Sequence, residues 1–351
     1  MNTDERLMIE KNWTGREQPQ VLKYFAQPIR HVLEKIEARS FDSLEEVRLR
    51  AGKPLMVQNR KGQWLVETGG VLKGESVKPF IVLQEDMIKT LELMSENSIY
   101  AYQDEIKNGF ITLRGGYRVG ICGRTVMDGT AVKNIKDISG LNIRMAKQVK
   151  GCSRQILKYL LNPKGEVFNT LLISPPQCGK TTMIRDVARV LSDGAGSGPG
   201  LKVGLVDERS EIAACYKGMA QNDIGIRTDV LDGCPKSIGM PMLLRSMSPQ
   251  VIITDEIGNQ GDREAVMQVL NAGVKIITTA HGYNVSELKT RKEVLEMMEE
   301  KVFDRYLVLS SAGGPGTLEE VIDGQSMEIL YKRGQRTSNR YMERDEGEKC
   351  C

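Results

Sequence analysis

The sequence predicts an α/β chain: an open parallel sheet flanked by helices, preceded by a smaller α+β domain. Three observations carry that prediction. Apolar runs at residues 171–173, 202–206, 251–254 and 275–279 are short and nearly free of alternation, as strands buried on both faces are. Helical patterns fill the gaps between them, the clearest with Met183, Ile184, Val187 and Val190 on its apolar side. Each run ends in a polar cluster, and in open parallel sheets a ligand sits outside the carboxyl ends of the strands.

Length and composition narrow the class further. A chain of 351 residues can bury a sizeable core and has the length of two or three domains. Forty-nine Lys and Arg against 46 Asp and Glu give a net charge of +3, and aromatics make up 5%, so neither a basic footprint nor a base-stacking surface for nucleic acid is advertised. The seven cysteines show no CxxC pair, and an odd count suits reduced cytosolic thiols better than a closed disulfide framework. The polar N-terminus does not read as a signal peptide, and no uncharged apolar run approaches the ~20 residues of a membrane span. A cytoplasmic chain follows, with any membrane role peripheral and through a partner.

Taken in order, residues 21–36 repeat apolar positions at helical spacing and predict a packed helix pair, in which His31 is a solvated or capping residue. Residues 44–66 change to short alternating runs separated by Gly-Lys-Pro and Lys-Gly turns, which predicts a small sheet. Residues 85–94 form an amphipathic helix, and residues 109–126 a β-hairpin turning at Gly115-Gly116 with Arg114, Arg118 and Arg124 along it. Residues 137–147 are a further strand, carrying Arg144. A helix at 151–161 and a turn at 162–165 lead to the first parallel strand, which places a domain boundary near Gly151: residues 1–150, then 151–331. Residues 193–200 are a flexible Gly, Ser and Pro loop, and helices occupy 241–247 and 262–270. From 332 to 351 the chain loses its apolar content and alternates charge, the composition of a disordered tail.

The chemistry gathers at residues 174–182, Ser174, Pro175, Pro176, Gln177, Cys178, Gly179, Lys180, Thr181 and Thr182, where a strand breaks into a tight loop that opens a helix. Such a loop cradles polyphosphate with backbone N–H groups at the positive end of the helix. Gly179 lets the backbone approach, Lys180 supplies charge to the outer phosphates, and the Thr181 hydroxyl suits Mg²⁺. The pattern is G-x-x-x-x-G-K-[ST] with Ser174 in place of the first Gly. Asp255, ending an apolar strand downstream, is the expected partner of Mg²⁺ through its water shell, and Glu256 is a candidate to orient and deprotonate the attacking water. Asp207 and Glu208 end another strand and could hold water or Mg²⁺ across the γ-phosphate, whereas Glu211 reads as solvated. His281 could report the γ-phosphate as a hydrogen-bond donor. The loop carries no arginine of its own, so Arg144, Arg227 and Arg245 are the candidates to meet transition-state charge, with Arg245 expected near the rim in the same subunit.

In chain order the 202–206 strand falls between the loop strand and the Asp255 strand, which resembles the additional-strand, catalytic-glutamate division of P-loop NTPases. No guanine-reading NKxD is present. The segments SPPQCGKTT, VDERSEIA, IGIRTDVLDGCPKSIGM, LLRSMSPQVIITDEIG and TTAHG, with EEVRLRAGKPL, GFITLRGGYRVGICGR and DISGLNIRMA upstream, together resemble the stage III sporulation protein AA family of secretion-type traffic ATPases. That resemblance implies a RecA-like ATPase domain binding ATP and Mg²⁺. It implies a homo-oligomeric ring, a hexamer, working with integral membrane components on the mother-cell side of a channel to the forespore. It assigns Lys180 and Thr181 to phosphate and Mg²⁺, Asp255 and Glu256 to Mg²⁺ and water, Asp207 and Glu208 to an acidic box and His281 to a histidine box. Where many traffic ATPases read GEIRD, this chain reads DEIGN, with Gly258 in the Arg place. The rival readings are a nucleic-acid-linked ATPase, for which no single-strand-binding module follows residue 330, and a nucleotide-gated scaffold with little turnover.

Overall fold

The computed structural model describes residues 19–335 other than 77, 99–101, 146 and 195–198. Its contacts divide the chain into two compact units, the first running to Lys147 and also taking in Ala214–Gln221, the second formed by Gln148–Ala213 and the chain from Asn222 onward. The division expected from the sequence is contiguous; the short excursion at Ala214–Gln221 has no signature in it.

In the first unit a 3₁₀ turn at Gln20–Tyr24 precedes helices α1 (Gln27–Glu34), α2 (Ala38–Asp42), α3 (Gln84–Met94) and α4 (Gln103–Lys107). Pro28 in the first turn of α1 supplies no N–H where none is needed, which starts the helix there and splits the 21–36 periodicity in two. Strands β1 (Leu44–Arg50), β2 (Met56–Asn59), β3 (Gly62–Val66), β4 (Leu72–Lys73), β5 (Phe110–Leu113), β6 (Tyr117–Asp128) and β7 (Ala131–Arg144) pair in the order β4-β3-β2-β1-β7-β6-β5, antiparallel throughout. Val47 and Leu49 of β1, Val119 and Ile121 of β6 and Ile143 of β7 point to one face and are buried with Leu22, Ile29, Leu33 and Met87. Full burial of each such side chain contributes about 1.5–3 kcal/mol. Tyr216, from the excursion, joins this core; its hydroxyl donates to Glu96 and lies 3.3 Å from that of Tyr102. The expected 109–126 hairpin is present, but β6 continues to Asp128 and turns at Gly129 into β7, which begins six residues before the predicted start at 137. That outer ribbon is largely solvent-facing, so its polar residues show no alternation to detect.

The second unit holds β8 (Thr170–Ser174), β9 (Val203–Asp207), β10 (Thr228–Asp232), β11 (Val251–Thr254), β12 (Lys275–His281), β13 (Arg305–Ser310), β14 (Thr317–Asp323) and β15 (Ile329–Lys332). Helices α5 (Arg154–Leu160), α6 (Lys180–Asp193), α7 (Lys236–Ser246), α8 (Gln260–Asn271), α9 (Val285–Leu288) and α10 (Lys292–Glu299) belong to the same unit. The sheet order is β10-β9-β11-β12-β8-β13-β14-β15, parallel from β10 to β13 and antiparallel thereafter. The P-loop, additional-strand fold predicted from the sequence is therefore present, with one correction. The strand lying between the loop strand β8 and the Asp255 strand β11 is β12, while β9 lies on the far side of β11. Chain order misleads because the chain leaves β8, crosses two positions to β9, and fills the gap on its return.

Helix α7 starts five residues before Pro241, where the sequence had suggested an N-terminus, and carries that proline inside. Helix α8 starts at a capping box in which Asn259 accepts from the Asp262 N–H and Asp262 receives the Asn259 N–H. Residues 336–351 of the expected tail, and the polar stretch 1–18, lie outside the described residues, and Lys332 is the last residue of β15. No described helix is long and apolar enough to cross a membrane.

Candidate nucleotide site

Strand β8 is buried at all five positions and delivers Ser174 to the C-terminal rim of the parallel sheet. Ser174 keeps negative φ, so the missing first glycine costs no backbone strain, and its Oγ donates to the Pro175 carbonyl at 3.0 Å. The left-handed residues of the loop are Gln177 at φ 61° and Gly179 at φ 84°. Gly179 is required twice over: its φ disfavours side chains, and an added Cβ would lie 3.3 Å from the Gly316 nitrogen and from Pro315. The turn between β13 and β14 thus braces the loop, with the Gly316 N–H donating to the Cys178 carbonyl at 2.8 Å and Gln155 donating to the Gly316 carbonyl at 2.7 Å. Sequence reasoning did not find this brace. Its one signal was the Gly-Gly-Pro-Gly run at 313–316.

Helix α6 begins at Lys180, leaving its first amides directed at the loop. The Lys180 ammonium is buried and donates to the carbonyls of Ser174 (2.7 Å) and Pro175 (3.2 Å) and to Nδ1 of His281 (2.8 Å). Burial pushes its pKa down to about 8. His281 ends β12 in register with Ser174, and its Nε2 stands 3.1 Å from Oε1 of Glu256. With Nδ1 accepting from Lys180, the ring proton lies on Nε2, facing that carboxylate. Glu256 is also 3.4 Å from the Arg209 guanidinium, and its backbone N–H donates to Thr279 Oγ1 at 2.9 Å. Loop lysine, histidine, glutamate and arginine form one continuous line along the rim.

Asp255, one residue past β11, is buried, and desolvation raises its carboxyl pKa to about 6. Its Oδ1 has no hydrogen-bond partner among the described residues. A buried, unpartnered carboxylate oxygen on the same rim as a loop threonine suits a hard divalent cation, and the residues present fit Mg²⁺ held by Thr181 and Asp255. Lys236, the first residue of α7, reaches in from the other side: its Nζ pairs with Glu208 and lies 3.8 Å from Asp255 Oδ1. Asp207 behaves differently from expectation. Its oxygens accept the backbone N–H groups of Glu211 (2.9 Å), Ile212 (2.9 Å) and Ala213 (2.8 Å), so it anchors the loop after β9 instead of facing a phosphate. Burial raises its pKa despite those three bonds.

The arginines separate clearly. Arg245 lies nine residues along α7 from Lys236, roughly 13 Å at 1.5 Å per residue, at the end of the helix away from the rim, which corrects the expectation that it stands beside the site. Arg227 donates to the Ser192 carbonyl at 2.9 Å near the end of α6 and is likewise remote from the rim. Arg144, in the first unit, ends β7, is exposed and pairs with Glu46 at 3.5 Å. Arg118 stacks on Phe110 and Arg124 pairs with Asp137 at 2.6 Å. A Cβ at Gly258 would meet open space, so nothing there excludes a larger residue. The cations that do reach the site, Arg209 and Lys236, were missed because each follows from loop geometry after a strand and not from a motif.

Residues 15–329 match the family described as sporulation stage III, protein AA. Stage III sporulation protein AA of Bacillus subtilis (strain 168) is 39% identical over 318 residues, a stretch covering 91% of this chain and 99% of that protein. Among solved structures, the ATPase DotB of Legionella pneumophila superposes with a TM-score of 0.53 at 12% identity, covering 88% of this chain and 83% of that one. DotB of Yersinia pseudotuberculosis gives 0.53 at 13% identity, covering 89% and 83%. At such identities the likeness is one of fold. The chain, with its loop lysine, rim histidine and paired Asp255-Glu256 on that fold, belongs to the stage III sporulation protein AA family.

Proposed function

We propose that this protein binds ATP with Mg²⁺ at residues 174–182 and hydrolyses it. We further propose that hydrolysis drives or assembles a membrane-spanning, secretion-like channel between mother cell and forespore. The observation that carries the reading is the convergence of Lys180, His281 and Glu256 within hydrogen-bond reach on the rim that also holds the orphan oxygen of Asp255. On this reading Lys180 turns from the carbonyls of Ser174 and Pro175 to the outer phosphates, exchanging two charge-assisted bonds for stronger ones to an anion. The first amides of α6 hold phosphate oxygens, and Thr181 and Asp255 hold Mg²⁺, which when bound offsets negative charge on the phosphates. Glu256 orients the attacking water and takes its proton, and His281 links it to the phosphate end through Lys180.

The same reading has the protein act as a homo-oligomeric ring, a hexamer, peripheral on the cytoplasmic, mother-cell face of the membrane and bound to integral membrane components. Arg144 or a hairpin arginine then completes a neighbouring subunit's site. Family membership supports this, as does the distance of Arg227 and Arg245 from the rim. A second reading, a nucleotide-gated scaffold with little turnover, is favoured by one feature: Lys180 and Glu256 are already engaged by chain partners. ATP hydrolysis per subunit, measured against protein concentration with Mg²⁺ for the native chain and Glu256→Gln, separates the two. Specific activity that climbs with concentration and falls at least 100-fold in the variant supports the ring ATPase. A flat, low activity indifferent to the substitution sinks it in favour of the scaffold.

A further inference from the structure

We infer that Lys236 is a positioning residue of this site: it fixes the Glu208 carboxylate at the rim and compensates the charge beside Asp255, so that a divalent cation enters with polyphosphate and not alone. The inference rests on the nucleotide reading above. Lysine is almost never buried without a purpose for its charge, and the Lys236 side chain is only 7% exposed. Nor does the helix benefit, because Lys236 is the first residue of α7, where the positive end of the dipole disfavours a cation. The energetic return has to come from the carboxylates. Lys236 donates to Glu208, whereas its 3.8 Å approach to Asp255 Oδ1 is too long for a hydrogen bond and leaves that oxygen without a hydrogen-bond partner among the described residues. Pairing with the part-exposed Glu208 does not by itself account for the Asp255 oxygen left without a hydrogen bond beside it.

Charge bookkeeping gives the consequence. Glu208 and Asp255 with Lys236 sum to one net negative charge, and a cation bound to Oδ1 at about 2.1 Å would stand within roughly 6 Å of the ammonium. Repulsion at that range weakens entry of a bare cation. Polyphosphate brings further negative charge and tips the balance. Removing Lys236 leaves two negative charges with only the more distant Arg209 to oppose them. Removing the charge of Glu208 leaves Lys236 to compete for Asp255 outright.

The test is Mn²⁺ binding to the full chain, followed by loss of the free-ion paramagnetic resonance signal, first without nucleotide and then with ADP. Without nucleotide, Lys236→Met is expected to bind Mn²⁺ at least fivefold more tightly than the native chain, Lys236→Arg to match it within twofold, and Glu208→Gln to bind at least fivefold more weakly. If Lys236→Met does not fold, the sign of the Glu208→Gln change decides. Equal affinities for the native chain and the folded variants overturn the role given to Lys236. Failure of the native chain to bind ADP, with the opposite Mn²⁺ shifts still present, would overturn the nucleotide reading and leave a cation site that Lys236 tunes.

Discussion

The two sheets bury their strands in opposite ways. In the antiparallel sheet of the first unit burial alternates, so that Val47 and Leu49 of β1 are inside while Arg48 and Arg50 face out. In the parallel sheet β8 and β9 are buried at every position, from Thr170 to Ser174 and from Val203 to Asp207. A strand covered on both faces has no exposed side on which to carry chemistry. Its charged residues are therefore kept to its ends, while threonines such as Thr278 and Thr279 lie buried inside it, and Lys180, Glu208, Glu256 and His281 all follow or close strands of this sheet. The half-exposed sheet can instead carry charge along its outer face, where Arg144 and Glu46 are cross-strand partners.

The largest expected effects test this contrast directly. Leu171→Ala and Leu172→Ala, neighbours on opposite faces of β8, are each expected to cost about 2–5 kcal/mol in denaturant unfolding. Along β1 the corresponding neighbours should split, with Leu49→Ala in that range and Arg50→Ala within ~0.5 kcal/mol. Equal costs for the β1 pair, or unequal ones for the β8 pair, would break the comparison.

An intermediate effect concerns the strand ends. Because the folded-state pKa of Asp255 is about 6, above the ordinary carboxylate value, its contribution to stability is fully present at pH below about 4 and is lost as pH rises through 6. Asp255→Asn should therefore raise the melting temperature at pH 7 by a few degrees and leave it nearly unchanged at pH 4, while Mg²⁺ ceases to tighten nucleotide binding. A melting temperature that falls equally at both pH values would mean that the carboxylate is a structural partner. The smallest effect sharpens the boundary of the site: Arg245→Ala, at the far end of α7, should leave turnover within twofold of native. A 100-fold loss would return it to the list of residues that meet the phosphate.

Much of this site is legible in one dimension because its parts are local. Gly179, Lys180 and Thr181 follow a buried strand and open a helix within a few residues, and the Asp255-Glu256 pair closes another apolar run. Strand identity was equally legible for β8, β9, β11 and β12, whose apolar continuity needs no partner to be seen. The illegible parts depend on residues far apart in sequence. Arg245 shares a helix with Lys236, and only the direction of α7 determines that Lys236 meets the rim while Arg245 does not. Asp207 has the sequence context of a metal ligand, yet the loop that follows β9 curls back and uses its oxygens for three amides.

By itself, then, the sequence determined the family, the P-loop and the alternation of strands and helices, since propensity, burial pattern and phosphate chemistry act over short stretches of chain. Tertiary structure alone decided that β12 is the strand inserted between β8 and β11, which puts His281 between Lys180 and Glu256. It also decided that Lys236 is the cation beside Asp255. Strand order and long-range ion pairs follow from how crossovers return to a sheet, a property of the packed molecule that local sequence does not encode.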